Sequence, residues 1–289
     1  MTALVFERVA RYGRLVRFSH TVFAMPFAIA AVVLAGRAPT VYEATGDPGL
    51  KLALIVGCLV AARTCAMCVN RLVDRRMDAA NPRTASRELV TGEVGVRGAA
   101  ALSAISGAAF VLLASRLGTL PFLLALPVLA FLCCYSLAKR FTWATHLWLG
   151  IALGLAPLGA SVAWNGTIGV PVLVLAAGVA TWVAGFDILY ALADESFDRA
   201  SGVHSIPARF GAPAALGMSA VLHVLAAASF ALAGRLDGAG IAYFAGVGLV
   251  GVFLLLQHGV PRLRQAVFKL NGAVGIAFLA GVLIDGALR

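Results

Sequence analysis

Nine apolar stretches, each close to the length of a bilayer crossing, most limit what this sequence can fold into. They cover approximately 18–36, 50–69, 96–115, 119–138, 144–164, 170–192, 212–233, 239–257 and 267–287. About 20 apolar residues in a helix span the roughly 30 Å hydrocarbon core of a membrane. Inside that core each backbone N–H and C=O must find its partner within the protein, which a helix provides. The expectation is therefore an all-α, polytopic membrane protein. Composition excludes a soluble surface: 12% of the 289 residues are charged and 61% are hydrophobic, against roughly 25% charged in soluble domains. The first stretch follows Arg8, Arg11, Arg14 and Arg17, so a cleaved signal peptide is a rival reading. It is longer than the roughly 7–15 apolar residues of such a signal, and it is taken as a retained first span. Pro26 is tolerated there because neighbouring helices re-satisfy a broken ladder.

The charges alternate from one connection to the next. Of the 23 Lys and Arg, 17 lie in the N-terminal segment and in the connections after the second, fourth, sixth and eighth stretches, and five lie on the other side. Arg63 is inside the second stretch. The excess of cations marks the cytoplasmic side, which puts the N-terminus there, in a cytoplasmic (inner) membrane, and the C-terminus outside. It also accounts for the net charge of +10 without nucleic acid. Of the five cysteines, Cys65 and Cys68 form a CxxC inside an apolar helix with no second Cys or His pair nearby. They read as small fillers at a helix interface rather than as a metal or redox site.

On the cation-rich side lies the most informative segment, residues 63–92, RTCAMCVNRLVDRRMDAANPRTASRELVTG. Asn70, Asp74 and Asp78 are spaced i, i+4, i+8, which stacks them on one helix face. Nothing breaks the helix until Pro82, which pushes Asn81 out of helical geometry. Residues 81–97 then form a loop long enough to fold over a site as a lid. A second segment repeats the theme with Asp187, Tyr190, Asp194 and Asp198; Asp74 to Asp194 and Asp78 to Asp198 are each 120 residues apart. Within a single domain over 1–289, an internal repeat with acidic motifs at 70–78 and 187–198 would bring the two ends face to face across a central cavity. Lys139 and Arg140 end the fourth stretch at the same level.

Clustered carboxylates with an amide suit Mg²⁺, which holds few protein oxygens and prefers to share phosphates. Two such ends would grip a diphosphate, with Arg75, Lys139 and Arg140 neutralising the remaining charge. A membrane site implies that the rest of that substrate is greasy, as an isoprenyl chain is. A single acid at a helix end is usually a solvated surface charge; two similarly spaced sets on one side weaken that reading. Arg63 and Asp187 lie within or near the apolar core, where an ionisable group costs roughly 2.5–3.5 kcal/mol and marks function. A structural Arg63–Asp187 pair is the alternative for these two. His20, His146, His204 and His223 are read as hydrogen-bonding rather than catalytic. The last three stretches read as lipid-facing wall.

The segment NRLVDRRMDAANPRTASREL resembles the NxxxDxxxD signature of the UbiA superfamily of intramembrane prenyltransferases, and DILYALADESFDRASGVHSIPARFG resembles its second, DxxxD-bearing one. FSHTVFAMPFA and YSLAKRFTWATHLWLGIALGLAPLGA are similar to the 4-hydroxybenzoate polyprenyltransferase branch. The similarity runs from about residue 14 to 211. It implies a nine-helix bundle around a central cavity closed by a cytoplasmic cap, with Mg²⁺ as cofactor. It implies transfer of an isoprenyl chain to an aromatic acid, in ubiquinone or menaquinone biosynthesis. Carried over by position, Asn70, Asp74, Asp78, Asp194 and Asp198 would hold Mg²⁺ and diphosphate, and Lys139 would contact diphosphate. FDRASG stands where many 4-hydroxybenzoate enzymes have consecutive acids, and looks closer to the subgroup linked to menaquinone made through futalosine, so both acceptor classes stay open. In the implied mechanism diphosphate leaves, the ring attacks the allylic cation ortho to its hydroxyl, and Asp187 or water removes the ring proton. Arg63, two turns from Asn70 on one face, would pin an acceptor carboxylate. A transporter using intramembrane acids is a rival, but its acids belong near the midplane, and these four lie at one edge. A CDP-alcohol phosphotransferase would show a DG and AR signature, which is missing at Asp74 and at Asp194.

Overall fold

The computed structural model describes residues 2–17, 23–37, 46–259 and 267–289. His20, Arg262 and Arg264 lie outside these residues. Among the described residues there is no strand. The helices are α1 (Thr2–Leu15), α2 (Met25–Ala35), α3 (Pro48–Ala80), α4 (Glu88–Thr91), α5 (Val96–Arg116), α6 (Thr119–Ala138), α7 (Thr145–Asn165), α8 (Val170–Ala191), α9 (Glu195–Ser201), α10 (Ile206–Leu236), α11 (Ile241–Gly259) and α12 (Val267–Leu288). Eight are long and apolar enough to cross a membrane, and α2 is a shorter apolar helix. The first stretch departs most from expectation. Its described part gives only 11 helical residues, roughly 17 Å at 1.5 Å per residue, and residues 18–22 lie outside the described set.

The interior follows from how much of each span is shielded. In α8, 67% of the apolar window is buried, against 11% in α6, so α8 is the central post and α6 faces lipid. Without water to drive helices together, small residues let backbones approach closely. On α7, Gly150 and Gly154 face the Ala180 and Ala176 carbonyls of α8, and Gly246 of α11 meets Gly281 of α12 backbone to backbone. Around α8 the gaps are filled by aromatics: Phe27, Trp182, Phe230 and Phe278 have ring centroids 4.9–5.5 Å apart.

The last three spans are not simply a lipid-facing wall. Trp182 Nε1 donates to Asn271 Oδ1 at 2.7 Å, and Asn271 and Gln257 exchange bonds at 3.1 and 3.3 Å. His223 Nδ1 lies 2.9 Å from His258 Nε2. These polar groups face inward, because a buried group with a partner costs little and one facing lipid has none.

Each end of the bundle has its own charged layer. At one end, Arg37 pairs with Asp237, and Arg289 with Asp285 at 2.8 Å. At the other, the ends of α3, α6 and α8 meet the starts of α7 and α10. The helix α1, which the sequence reading did not anticipate, lies at this second end: Arg14 pairs with Glu93 at 3.1 Å, and Arg71 Nε donates to the Leu15 carbonyl at 3.1 Å. The N-terminal segment and the connections after α3, α6 and α8 thus meet there.

The α7–α8 contact is a checkable consequence. A Cβ at position 150 would sit 2.2 Å from the Ala180 carbonyl oxygen, a clash with backbone that only a helix shift relieves. Overpacking of this kind costs about 1–3 kcal/mol. Gly150→Ala is expected to lower the thermal midpoint of the purified protein by several degrees, whereas Gly159→Ala, at a glycine with nothing within 4 Å, leaves it unchanged.

Candidate active site

The expected acidic face of α3 is present. The helix runs unbroken to Ala80, and Asn81, ahead of Pro82, is extended at φ −92°, ψ 118°. Asn70 Nδ2 donates to Asp74 Oδ2 at 3.0 Å. Asp74 is only 1% exposed. Lys139, from the end of α6, donates to the same Oδ2 at 2.6 Å, and Arg140 stands 3.9 Å from Oδ1. One turn on, Asp78 accepts from Arg87 at 2.6 Å. The face that local geometry aligns is thus neutralised from elsewhere in the chain.

The second motif is not a simple helix end. The helix α8 stops at Ala191, residues Leu192–Asp194 form a 3₁₀ turn, and α9 restarts at Glu195. The tighter turn rotates Asp194 and Asp198 out of the phase they would keep on a continuous helix. Asp194 is held by the lid: Arg83 Nε donates to Oδ1 at 2.7 Å, the Arg83 Nη2 pairs with Oδ2, and Asn81 Nδ2 donates to Oδ1 at 3.0 Å. Arg83 also donates to the Tyr190 hydroxyl and lies over its ring, 4.6 Å from the centroid. Burial works against the Arg83 cation, but its bonds to Asp194 and the neighbouring Tyr190 outweigh it and hold its pKa above the ordinary arginine value. Asp198 has Lys139 within electrostatic reach, and Asp194 has Arg87. Lys139 and Arg87 therefore each face a carboxylate of both acidic motifs, while Arg83 serves the second alone.

The loop over the site is built by local signals. The turns of 82–87 lead into α4, and Gly92 closes that helix in the left-handed region at φ 84°, where glycine pays no Cβ penalty. Arg75 braces this cap rather than facing the acids: its Nε donates to the Leu89 carbonyl at 3.2 Å. One residue beyond Asp74 is about 100° around the helix, which turns Arg75 away.

The sequence model of the UbiA prenyltransferase family matches residues 21–270. The chain belongs to this family. Among its relatives, the 4-hydroxybenzoate octaprenyltransferase of Methylobacillus flagellatus is 32% identical over 250 residues, 83% of each chain. The apo structure of a UbiA homolog from Aeropyrum pernix K1 superimposes with a TM-score of 0.83 at 35% identity, over 92% of this chain and 98% of that one. A UbiA homolog from Archaeoglobus fulgidus, bound to GPP and Mg²⁺, shares the fold with a TM-score of 0.72 at 20% identity, over 96% and 99%.

Family membership makes the remaining geometry worth stating. The structure brings together Asn70, Asp74, Asp78, Asp194, Lys139 and Tyr190, with Arg140 at the rim, where it bonds the Val73 carbonyl at 2.7 Å. Arg63 lies deeper and half-buried, its Nε buried and free of any hydrogen bond, with Tyr135 within electrostatic reach. Asp187 pairs with His146 at 2.7 Å rather than with Arg63. Sequence reasoning missed Arg83 and Arg87 as site residues; their signal was their place on the loop read as a lid. Among the described residues no three His, Cys, Asp or Glu side chains are grouped tightly enough to cage a metal. Mg²⁺ needs no such cage, since it takes one or two carboxylates and completes its shell with water and phosphate. Asp74 Oδ1 is buried without a hydrogen-bond donor, an oxygen of the right kind left over. Two cavities lie elsewhere, one of about 550 Å³ against Glu195, Ser196 and Arg199, the other of about 360 Å³ beside Arg37 and Asp237.

The cap is tied down by Arg83, so its removal has a local readout. In Arg83→Ala, amide hydrogen exchange across residues 82–92 is expected to quicken by about tenfold or more, with the spans unaffected. Unchanged exchange would mean that the cap is held without Arg83, by contacts such as those of Arg75, Arg87 and Arg14.

Proposed function

We propose that this protein is a Mg²⁺-dependent aromatic prenyltransferase of quinone biosynthesis, moving a polyprenyl chain from an isoprenyl diphosphate to 4-hydroxybenzoate. The observation that carries the reading is a pair of carboxylate motifs from separate helices that share Lys139 and Arg87 as counter-ions at one end of an apolar bundle. The name of the Methylobacillus flagellatus relative supports the acceptor, and the Archaeoglobus fulgidus homolog with GPP and Mg²⁺ supports a diphosphate and a divalent ion in this fold. The cation bias of the connections supports an N-terminus and a site on the cytoplasmic side of the inner membrane.

Asn70, Asp74, Asp78, Asp194 and Asp198 would together hold Mg²⁺ and the diphosphate, no more than one or two carboxylates to an ion, and the metal when bound offsets the charge of the diphosphate as it leaves. Lys139, Arg83, Arg87 and Arg140 offer donors to the diphosphate oxygens, and exchange carboxylate partners for phosphate ones. The dry apolar walls between the helices keep water from the allylic cation. Arg63, with a free Nε two turns above Asn70, pins the carboxylate of the acceptor. The ring carbon ortho to the hydroxyl then forms the new C–C bond, and Asp187 takes the ring proton.

The test is an assay of purified protein in lipid with a long-chain isoprenyl diphosphate and 4-hydroxybenzoate, with and without Mg²⁺. Prenylated hydroxybenzoate formed only with Mg²⁺ is expected. In Arg63→Ala the KM for hydroxybenzoate should rise by at least about tenfold, the loss of one charged hydrogen bond, with the donor KM unchanged. Diphosphate release without prenylated hydroxybenzoate would move the acceptor to futalosine-type intermediates, the acceptors of the subgroup that the FDRASG segment resembles. Neither product nor diphosphate release from folded protein would overturn the reading.

A further inference from the structure

His146 stands in the first turn of α7, and the proposed transfer has not used it. It is 3% exposed, and both ring nitrogens have partners from different helices. Ile206 N–H donates to Nε2 at 3.3 Å, and Nδ1 lies 2.7 Å from Asp187 Oδ2. Ile206 is the first residue of α10, so its N–H is one of the four that a helix start leaves without a partner. The Ser205 hydroxyl takes another, from Ala208 at 3.3 Å, and the imidazole takes that of Ile206. An N–H aimed at Nε2 requires a lone pair there, so the ring proton sits on Nδ1 and points at Asp187. One bond thus dictates the other. The Asp187 side chain remains 22% exposed, and Tyr135 is within its electrostatic reach. His146 is also within reach of Asp198, which links this pair to the second acidic motif.

We propose that His146 is a positioning residue for proton removal: fixed as the Nδ1–H tautomer by the start of α10, it aims the Asp187 carboxylate at the ring carbon that has just been prenylated. The inference rests on the prenyl-transfer reading above. In that step the C–O bond to diphosphate has broken with its electron pair, and a ring π pair has formed the C–C bond. The ring C–H bond then breaks, its pair restores the aromatic ring, and the proton passes to Asp187, which returns it to water. The Nδ1–H bond to Oδ2 holds one carboxylate oxygen so that the other is presented to the substrate.

Two substitutions separate aiming from mere capping of α10. An Asn amide falls where Nδ1 was, so His146→Asn keeps a donor to Asp187 and abandons Ile206. A Gln amide falls where Nε2 was, so His146→Gln keeps an acceptor for Ile206 and abandons Asp187. With 4-hydroxybenzoate deuterated at its ring positions ortho to the hydroxyl, His146→Gln and Asp187→Asn are expected to lower kcat by about 10²-fold, the usual scale of a positioned base. Both should unmask a primary isotope effect while leaving the donor KM unchanged; His146→Asn should stay within a few-fold of the parent. The reverse order, with Gln active and Asn impaired, or slow variants without an isotope effect, would overturn the proposal while leaving prenyl transfer standing. The tautomer is read without turnover by ¹⁵N NMR of histidine-labelled protein: a protonated Nδ1 and a bare Nε2 at His146 support it, and the opposite pattern overturns it. That readout holds even if the acceptor proves to be another compound.

Discussion

The interaction on which the rest depends is the neutralisation of acids at the end of an apolar bundle by cations from other parts of the chain. Asp74 is almost fully buried and leans on Lys139; Asp78 leans on Arg87; Asp194 leans on Arg83. Removing one partner of a buried pair leaves a charge that costs roughly 3–5 kcal/mol. The same contacts that would handle a diphosphate thus also fasten α3 to α6 and to the 3₁₀ turn after α8. A site of this kind assembles only when most of the fold is in place, because its pieces come from residues 70–87, 139–146 and 187–206. It also explains why the cap lies down over the site: its two arginines are counter-ions for carboxylates on both motifs.

What was legible in the sequence was what local geometry decides. Six of the nine apolar stretches match their helices to within about two residues at both ends, since hydropathy and length are properties of a segment alone. The face bearing Asn70, Asp74 and Asp78 needed only helical spacing, and the stop at Asn81 needed only the proline after it. What stayed hidden was set by contact between distant segments. The 3₁₀ turn at Leu192–Asp194 has no marker in LAD, so Asp194 and Asp198 looked like a continuation of α8. Arg83 and Arg87 find partners up to 111 residues away, and Arg75, equally basic, does not. Asn271 and Gln257, in stretches that read as lipid-facing wall, carry no sign in the sequence that each is the other's partner. The helix α1 was passed over because its arginines were weighed only as cytoplasmic charge and as the flank of a signal peptide.

The helix packing and the chemistry are connected through α8. Its upper half is gripped by glycine contacts from α7 and by the aromatic cluster of α2, α10 and α12. Its lower end carries Asp187, Tyr190 and the break that presents Asp194. A rigid post of this kind lets a short irregular turn at its tip hold a fixed position, since motions of the spans would otherwise carry the acids apart. The opposite end of the bundle has its own ionic layer at Arg37, Asp237, Asp285 and Arg289, so both ends of the helices are tied by charge and the middle by shape.

The central claim is that the two acidic motifs form one diphosphate site. A double-mutant cycle tests it most directly, using the binding affinity of an unreactive isoprenyl thiolodiphosphate with Mg²⁺ for the parent, Asp78→Asn, Asp194→Asn and the double variant. Groups that share one ligand are coupled, by about 0.5–3 kcal/mol in such cycles. The account predicts that the double variant loses clearly less affinity than the sum of the two single losses. Strict additivity, with each motif contributing independently, would contradict it.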